Sequence, residues 1–258
     1  MTPLPKIFLR VPIAHRALHD LAAGRPENSL SAMRAAIDRG YGIELDLQAA
    51  SDGTPMVFHD YKLSRLTGEK GLVNQRTASE LNQIGLTGST HGDTIPTLAQ
   101  VLDLVAGRVP LLIEIKDQDG ALGPDTGALE AATARALETY QGPVAVMSFN
   151  PHSVAEFNRL APHVPVGLTT GRFSIKNWPI VAKKRLSRLA NIHDFEDSGA
   201  SFISHRADAL GTAPVRKLKA EGVPILCWTT RTPAADAKAR RIADNVTFES
   251  YLPVIPVE

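Results

Sequence analysis

The chain has 258 residues, 43% of them hydrophobic and 21% charged, enough apolar sequence to bury a sizeable core and too much for wholesale disorder. Its 28 Lys and Arg face 27 Asp and Glu, a net charge of +1, so no global field exists to attract nucleic acid and any anion must be caught locally. A single cysteine, Cys227, excludes an internal disulfide framework, and the sequence has neither an apolar signal-type stretch at its start nor a run of about 18 apolar residues, so the expectation is a cytoplasmic protein.

In chain order, short runs rich in Val, Ile and Leu occupy residues 11–15, 42–48, 111–116, 144–148, 165–169, 201–205, 224–229 and 245–249, with helical patterns between them. Eight strands alternating with helices close a (β/α)8 TIM barrel of the α/β class, and one such barrel needs roughly 250 residues. The prediction is therefore one barrel domain over 1–258. The first helix is marked by Leu30, Met33 and Ile37 before Gly40, with Asn28 or Ser29 as its cap. After the second strand, Asp52-Gly53 reads as a hairpin turn into an extra strand at 55–58, opening a small insertion over about 51–96. Thr97 caps a helix carrying Leu98, Val101, Leu102 and Val105, and Asn150-Pro151 and Thr232-Pro233 mark two further helix starts. The segment 171–197 is basic and reads either as a helical lid or as a solvated face.

Two strands carry the chemistry. In residues 42–48, Ile43, Leu45 and Leu47 alternate with Gly42, Glu44, Asp46 and Gln48; in 111–116, Leu111, Ile113 and Ile115 alternate with Leu112, Glu114 and Lys116. A surface sheet would turn the polar face to water. In a barrel sheathed by helices the apolar face packs outward, which turns Glu44, Asp46, Glu114 and Lys116 inward. Three converging carboxylates in a desolvated pocket require compensation by protons, cationic side chains or a metal; a buried ion-pair network is one reading, and a hard divalent cation, Mg²⁺ or Ca²⁺ with Mn²⁺ as a third option, is the other and suits oxygen donors without cysteine. His15 ends the first run and His59 the extra strand, and with Arg16 and Lys116 they would supply an acid, a base and cations for a phosphodiester. His205, ending the sixth run, is a candidate substrate contact whose placement depends on register; Trp228 reads either as pocket wall or as core.

In order, His15-Arg16, Pro26-Glu27-Asn28, Glu44-Leu45-Asp46, His59-Asp60 and Glu114-Ile115-Lys116 resemble the motifs of the glycerophosphodiester phosphodiesterase family. The resemblance implies hydrolysis of diesters such as glycerophosphocholine and glycerophosphoethanolamine to an alcohol and glycerol 3-phosphate, with one divalent cation. It implies metal binding by Glu44, Asp46 and Glu114, acid and base roles for His15 and His59, and phosphate contacts from Arg16 and Lys116. The family usually has glycine after the His-Arg pair and threonine after Pro-Glu-Asn, where this chain has Ala17 and Ser29. Glu27 and Asn28 read as loop supports. Two alternatives stand beside this reading: a lysophospholipase D or head-group phosphodiesterase whose basic segment meets a membrane, and a non-catalytic phosphate-ester binding module. The near-neutral charge favours a soluble small-molecule substrate over a membrane; the oligomeric state is open.

Overall fold

The computed structural model describes residues 1–256. Its strands are β1 (Ile13–Ala14), β2 (Gly42–Ala49), β3 (Pro55–Val57), β4 (Leu111–Ile115), β5 (Val144–Ser148), β6 (Val166–Thr170), β7 (Phe202–Arg206), β8 (Ile225–Thr230) and β9 (Asn245–Phe248). They pair in the order β1-β9-β8-β7-β6-β5-β4-β2-β3, and a further β1–β2 pairing closes eight parallel strands into a ring, leaving β3 as an antiparallel branch on β2. This is the expected (β/α)8 barrel, and each predicted run lies within two residues of an observed strand.

Alternation sorts the side chains. Ile43, Leu45, Leu47, Ile113 and Ile115 pack with Met33 of the helix Leu30–Asp38 and Val101 and Leu102 of the helix Leu98–Val105. Each such fully buried side chain stabilises the fold by roughly 1.5–3 kcal/mol. The residues between them face the interior. Near the strand starts these are apolar, Leu112, Ala145, Phe202 and Leu226 meeting Phe8 from the short helix Ile7–Arg10. Asn245 Nδ2 donates to the carbonyls of Phe8 (2.8 Å) and Val11 (2.6 Å), fixing that helix beneath the barrel floor. Gly167 makes room for Phe202, because a Cβ there would stand 2.4 Å from the ring. With the floor closed, polar interior residues farther along each strand gather at the C-terminal mouth.

Local capping follows the side chains available. Ser29 caps the Leu30 helix by accepting from Ala32 N–H at 3.1 Å, while Thr97, Asn150 and Thr232 cap theirs as expected. Between residues 51 and 96, β3 and the short helices Ser64–Thr67 and Ala78–Leu81 enclose a separate apolar cluster that includes Phe58, Leu63, Val73, Leu81 and Ile95. His59 follows Phe58 directly and is thereby held against a packed platform. In the basic segment, Phe173, Val181, Leu186 and Leu189 bury against Leu122, and Arg185 (3.2 Å) and Arg188 (2.7 Å) both pair with Asp194. Lys183 and Lys184 remain solvated. Among the described residues no helix is long and apolar enough to cross a membrane.

Candidate active site

The β2–β4 register sets Asp46 opposite Glu114, with Glu44 two residues earlier on the same face. All three carboxylates are buried, and one oxygen from each lies within 4.8 Å of the others. Lys116 Nζ is 2.7 Å from Asp46 Oδ1 and also contacts Glu114; Arg16 Nε is 3.5 Å from Asp46 Oδ2. Against the upward push of burial, Lys116, His59 and Arg16 hold the Asp46 carboxyl well below the usual carboxylate range. Glu44 has no ion-pair partner among the described residues. It accepts the Arg16 backbone N–H at 2.9 Å, while burial and then the neighbouring Asp46 and Glu114 raise its carboxyl well above the ordinary value.

This donor set fits a hard divalent cation: three clustered carboxylates, two cationic side chains beside them and one carboxylate without an ion-pair partner among the described residues. One orphaned atom points the same way. Asn28 Oδ1 is buried without a hydrogen-bond partner, as an acceptor completed by a bound group or water would be, whereas the likewise unpartnered Arg16 Nε is a donor and suits an anion.

Each predicted histidine is held by a carboxylate. His15 Nδ1 lies 2.7 Å from Glu249 Oε2, and His59 Nδ1 lies 2.7 Å from Asp60 Oδ1. With Nδ1 so engaged, Nε2 of each ring is the nitrogen left for proton transfer. Burial holds the His15 imidazole below its ordinary value despite the opposing Glu249 hydrogen bond. Glu249 itself is held low by the hydrogen bond with His15 and by the nearby His19 ring. The second dyad continues outward: Arg65 pairs with Asp60 (2.6 Å) and Glu27 (2.8 Å), and Glu27 pairs with Arg16 (2.7 Å). One ionic chain thus ties His59 to the guanidinium beside Asp46.

The loop after β1 explains two departures from expectation. Arg16 (φ 52°) and Ala17 (φ 66°) are both left-handed, as is Asn28 (φ 57°), and the Arg16 carbonyl accepts from Asn28 N–H at 2.9 Å. Glycine would suit position 17, where a Cβ costs roughly 1–2 kcal/mol. Asn28 is more than a loop support, since its Nδ2 donates to Asp46 Oδ2 at 2.9 Å. Glu27 joins two guanidiniums at the site's edge.

Beside the carboxylates opens a cavity of about 490 Å³ bordered by His59, Glu114 and Lys116 together with Tyr61, Phe149 and Trp178. Trp228 does not line this cavity; it packs edge-on against Phe149 at 5.5 Å, behind the wall that Phe149 forms with Trp178 at 5.6 Å. His205 does not reach the site. It shares the outward face of β7 with Ile203, is 1% exposed, and places Nδ1 2.7 Å from the Thr170 hydroxyl. Arg206, next along the strand, takes the inward face instead.

The profile of the glycerophosphoryl diester phosphodiesterase family matches residues 15–246. The chain belongs to this family. A glycerophosphodiester phosphodiesterase of Bacillus altitudinis is 36% identical over 174 residues, 65% of this chain and 67% of that one. One from Caldanaerobacter subterraneus subsp. tengcongensis is 33% identical over 161 residues, 59% of this chain and 65% of its own. The aligned segments thus span about two thirds of these relatives. A phosphodiesterase of Oleispira antarctica, solved with sn-glycerol-3-phosphate, superposes with a TM-score of 0.76 over 94% of this chain and 93% of its own at 24% identity, a likeness of fold. Membership makes the chain a phosphoric diester hydrolase, and the carboxylate trio gives it a place for the divalent ion that the family uses.

Proposed function

We propose that this chain hydrolyses glycerophosphodiesters such as glycerophosphocholine and glycerophosphoethanolamine to glycerol 3-phosphate and the free alcohol, as one barrel unit. The observation that carries this reading is the pairing of His15 and His59 each with a carboxylate through Nδ1, beside one acidic trio. Glu44, Asp46 and Glu114 hold the divalent cation, Mg²⁺, Ca²⁺ or Mn²⁺, which supplies positive charge for the phosphate oxygens. Arg16 and Lys116 add fixed positive charge and, through Asp46, keep the trio in place.

Proton traffic falls to the two rings. His15, held below its ordinary value by burial, is neutral near pH 7 and is the base: its Nε2 takes the proton of the attacking hydroxyl. His59 gives a proton to the departing alkoxide. The glycerol 2-hydroxyl is the attacking group, and the cyclic phosphate it forms is opened by water with the roles reversed. Glu249 and Asp60 keep each ring's Nδ1 occupied, as an orienting carboxylate does in other histidine-dependent sites. The wall of Tyr61, Phe149 and Trp178 receives the alcohol. Release of glycerol 3-phosphate from both diesters, compared among wild type, His15→Ala and His59→Ala, tests the reading: each substitution lowers kcat/KM by about 10²–10⁴-fold. Turnover unchanged in either variant would remove that histidine from the mechanism.

A further inference from the structure

His15, His19 and Glu249 form a second ligand cluster on the far side of the His15 ring from the site's chemistry. One ligand atom from each of the three lies within 4.8 Å of the others. The His15–Glu249 distance is 2.7 Å and the His19–Glu249 distance 3.8 Å, both to Oε2. The side chains are 13%, 26% and 16% exposed, so an ion arriving from solvent can reach them. His19 also lines a separate surface cavity of about 550 Å³ with Leu18, Asp20 and Tyr251.

We infer that this cluster is an inhibitory site for a borderline transition ion of the Zn²⁺ class, distinct from the carboxylate trio. Two imidazoles and one carboxylate are the donors that zinc takes and that Mg²⁺ and Ca²⁺ decline, whereas Glu44, Asp46 and Glu114 offer oxygen alone. Bonds of 2.0–2.1 Å place tetrahedral neighbours about 3.3 Å apart. The two distances to Glu249 straddle that value, so binding an ion requires an opening at His15 and a closing at His19. Arg231 contacts the other Glu249 oxygen and fixes the carboxylate from behind.

Occupancy has one chemical consequence. A neutral imidazole that ligates through Nδ1 carries its proton on Nε2, so His15 loses the lone pair with which it accepts the substrate's proton. This consequence rests on the role given to His15 above; the binding itself does not.

The experiment titrates ZnCl₂ calorimetrically into the protein saturated with Mg²⁺ or Ca²⁺ and follows diester turnover in parallel. Wild type binds one further ion and loses turnover. His19→Ala, and His19→Gln as its gentler counterpart, bind zinc at least about tenfold more weakly while keeping turnover without zinc within about twofold. Equal zinc affinity in both His19 variants would overturn the inference, as would inhibition relieved by raising Mg²⁺ or Ca²⁺, which places zinc on the carboxylates. A protein that binds zinc through His19 but shows no turnover at all refutes the proposed function and leaves this site standing.

Discussion

His205 illustrates how a buried histidine sets acid stability without touching substrate. It is 1% exposed, and burial lowers its imidazole from an ordinary 6.5 to about 4, against the opposing pull of the Ala209 backbone. The unfolded chain binds a proton at this residue once the pH drops below 6.5, and the folded chain does not until about 4. Between those values the unfolded state therefore holds more protons, so stability is intact above 6.5 and falls as the pH falls. At 1.36 kcal/mol per unit the interval amounts to about 3 kcal/mol, complete once the pH is below about 4. His205→Gln removes the titration but leaves a polar side chain for Thr170. Urea unfolding of both proteins from pH 7 to pH 4 measures the difference directly, with the other titrating groups cancelling between them. Wild type loses about 3 kcal/mol relative to the variant over that range. A difference that stays constant with pH would show that His205 is not held neutral by burial.

The remaining predictions concern the site. Glu249→Gln removes the contact that raises His15, so the acid limb of kcat/KM, already below 6.5 in wild type, moves to lower pH and kcat falls at least tenfold; a limb that stays put or moves upward counts against the dyad. Trp178→Ala strips an aromatic face from the cavity, and KM for glycerophosphocholine rises several-fold with kcat little changed, the pattern of lost ground-state binding; a fall in kcat alone would place Trp178 elsewhere in the mechanism. Glu44→Gln abolishes the thermal shift that wild type shows with its cation, about 2.7 kcal/mol or roughly 5–10 °C at a hundred times Kd, and a shift preserved in the variant would remove Glu44 from the ion's ligands.

The barrel is legible in the sequence because each strand is an apolar run short enough to exclude a helix, and because the runs number eight. The acidic trio is legible for a related reason: Glu44, Asp46 and Glu114 interrupt apolar strands at alternate positions, which places them together on one inward face. What sequence does not reveal depends on closure or on a single step of register. Glu249 stands 234 positions from His15 and meets it only because β9 pairs with β1. Arg65 lies on a four-residue helix in the insertion, where nothing local signals that it joins Asp60 to Glu27. Asn28 read as a cap candidate or loop support, and its left-handed backbone hands the capping role to Ser29 while its amide turns to Asp46. His205 and Arg206 are neighbours on one strand, and alternation alone decides which of them faces the mouth.

The most direct measurement is glycerol 3-phosphate release from glycerophosphocholine by protein stripped of metal, with Mg²⁺, Ca²⁺ and Mn²⁺ restored singly and Glu114→Gln assayed beside it. The stripped protein is inactive, at least one ion restores turnover, and the variant stays inactive at ion concentrations that saturate wild type. Turnover that survives stripping, or none with any ion, would contradict the assignment of this carboxylate trio and its histidines to glycerophosphodiester hydrolysis.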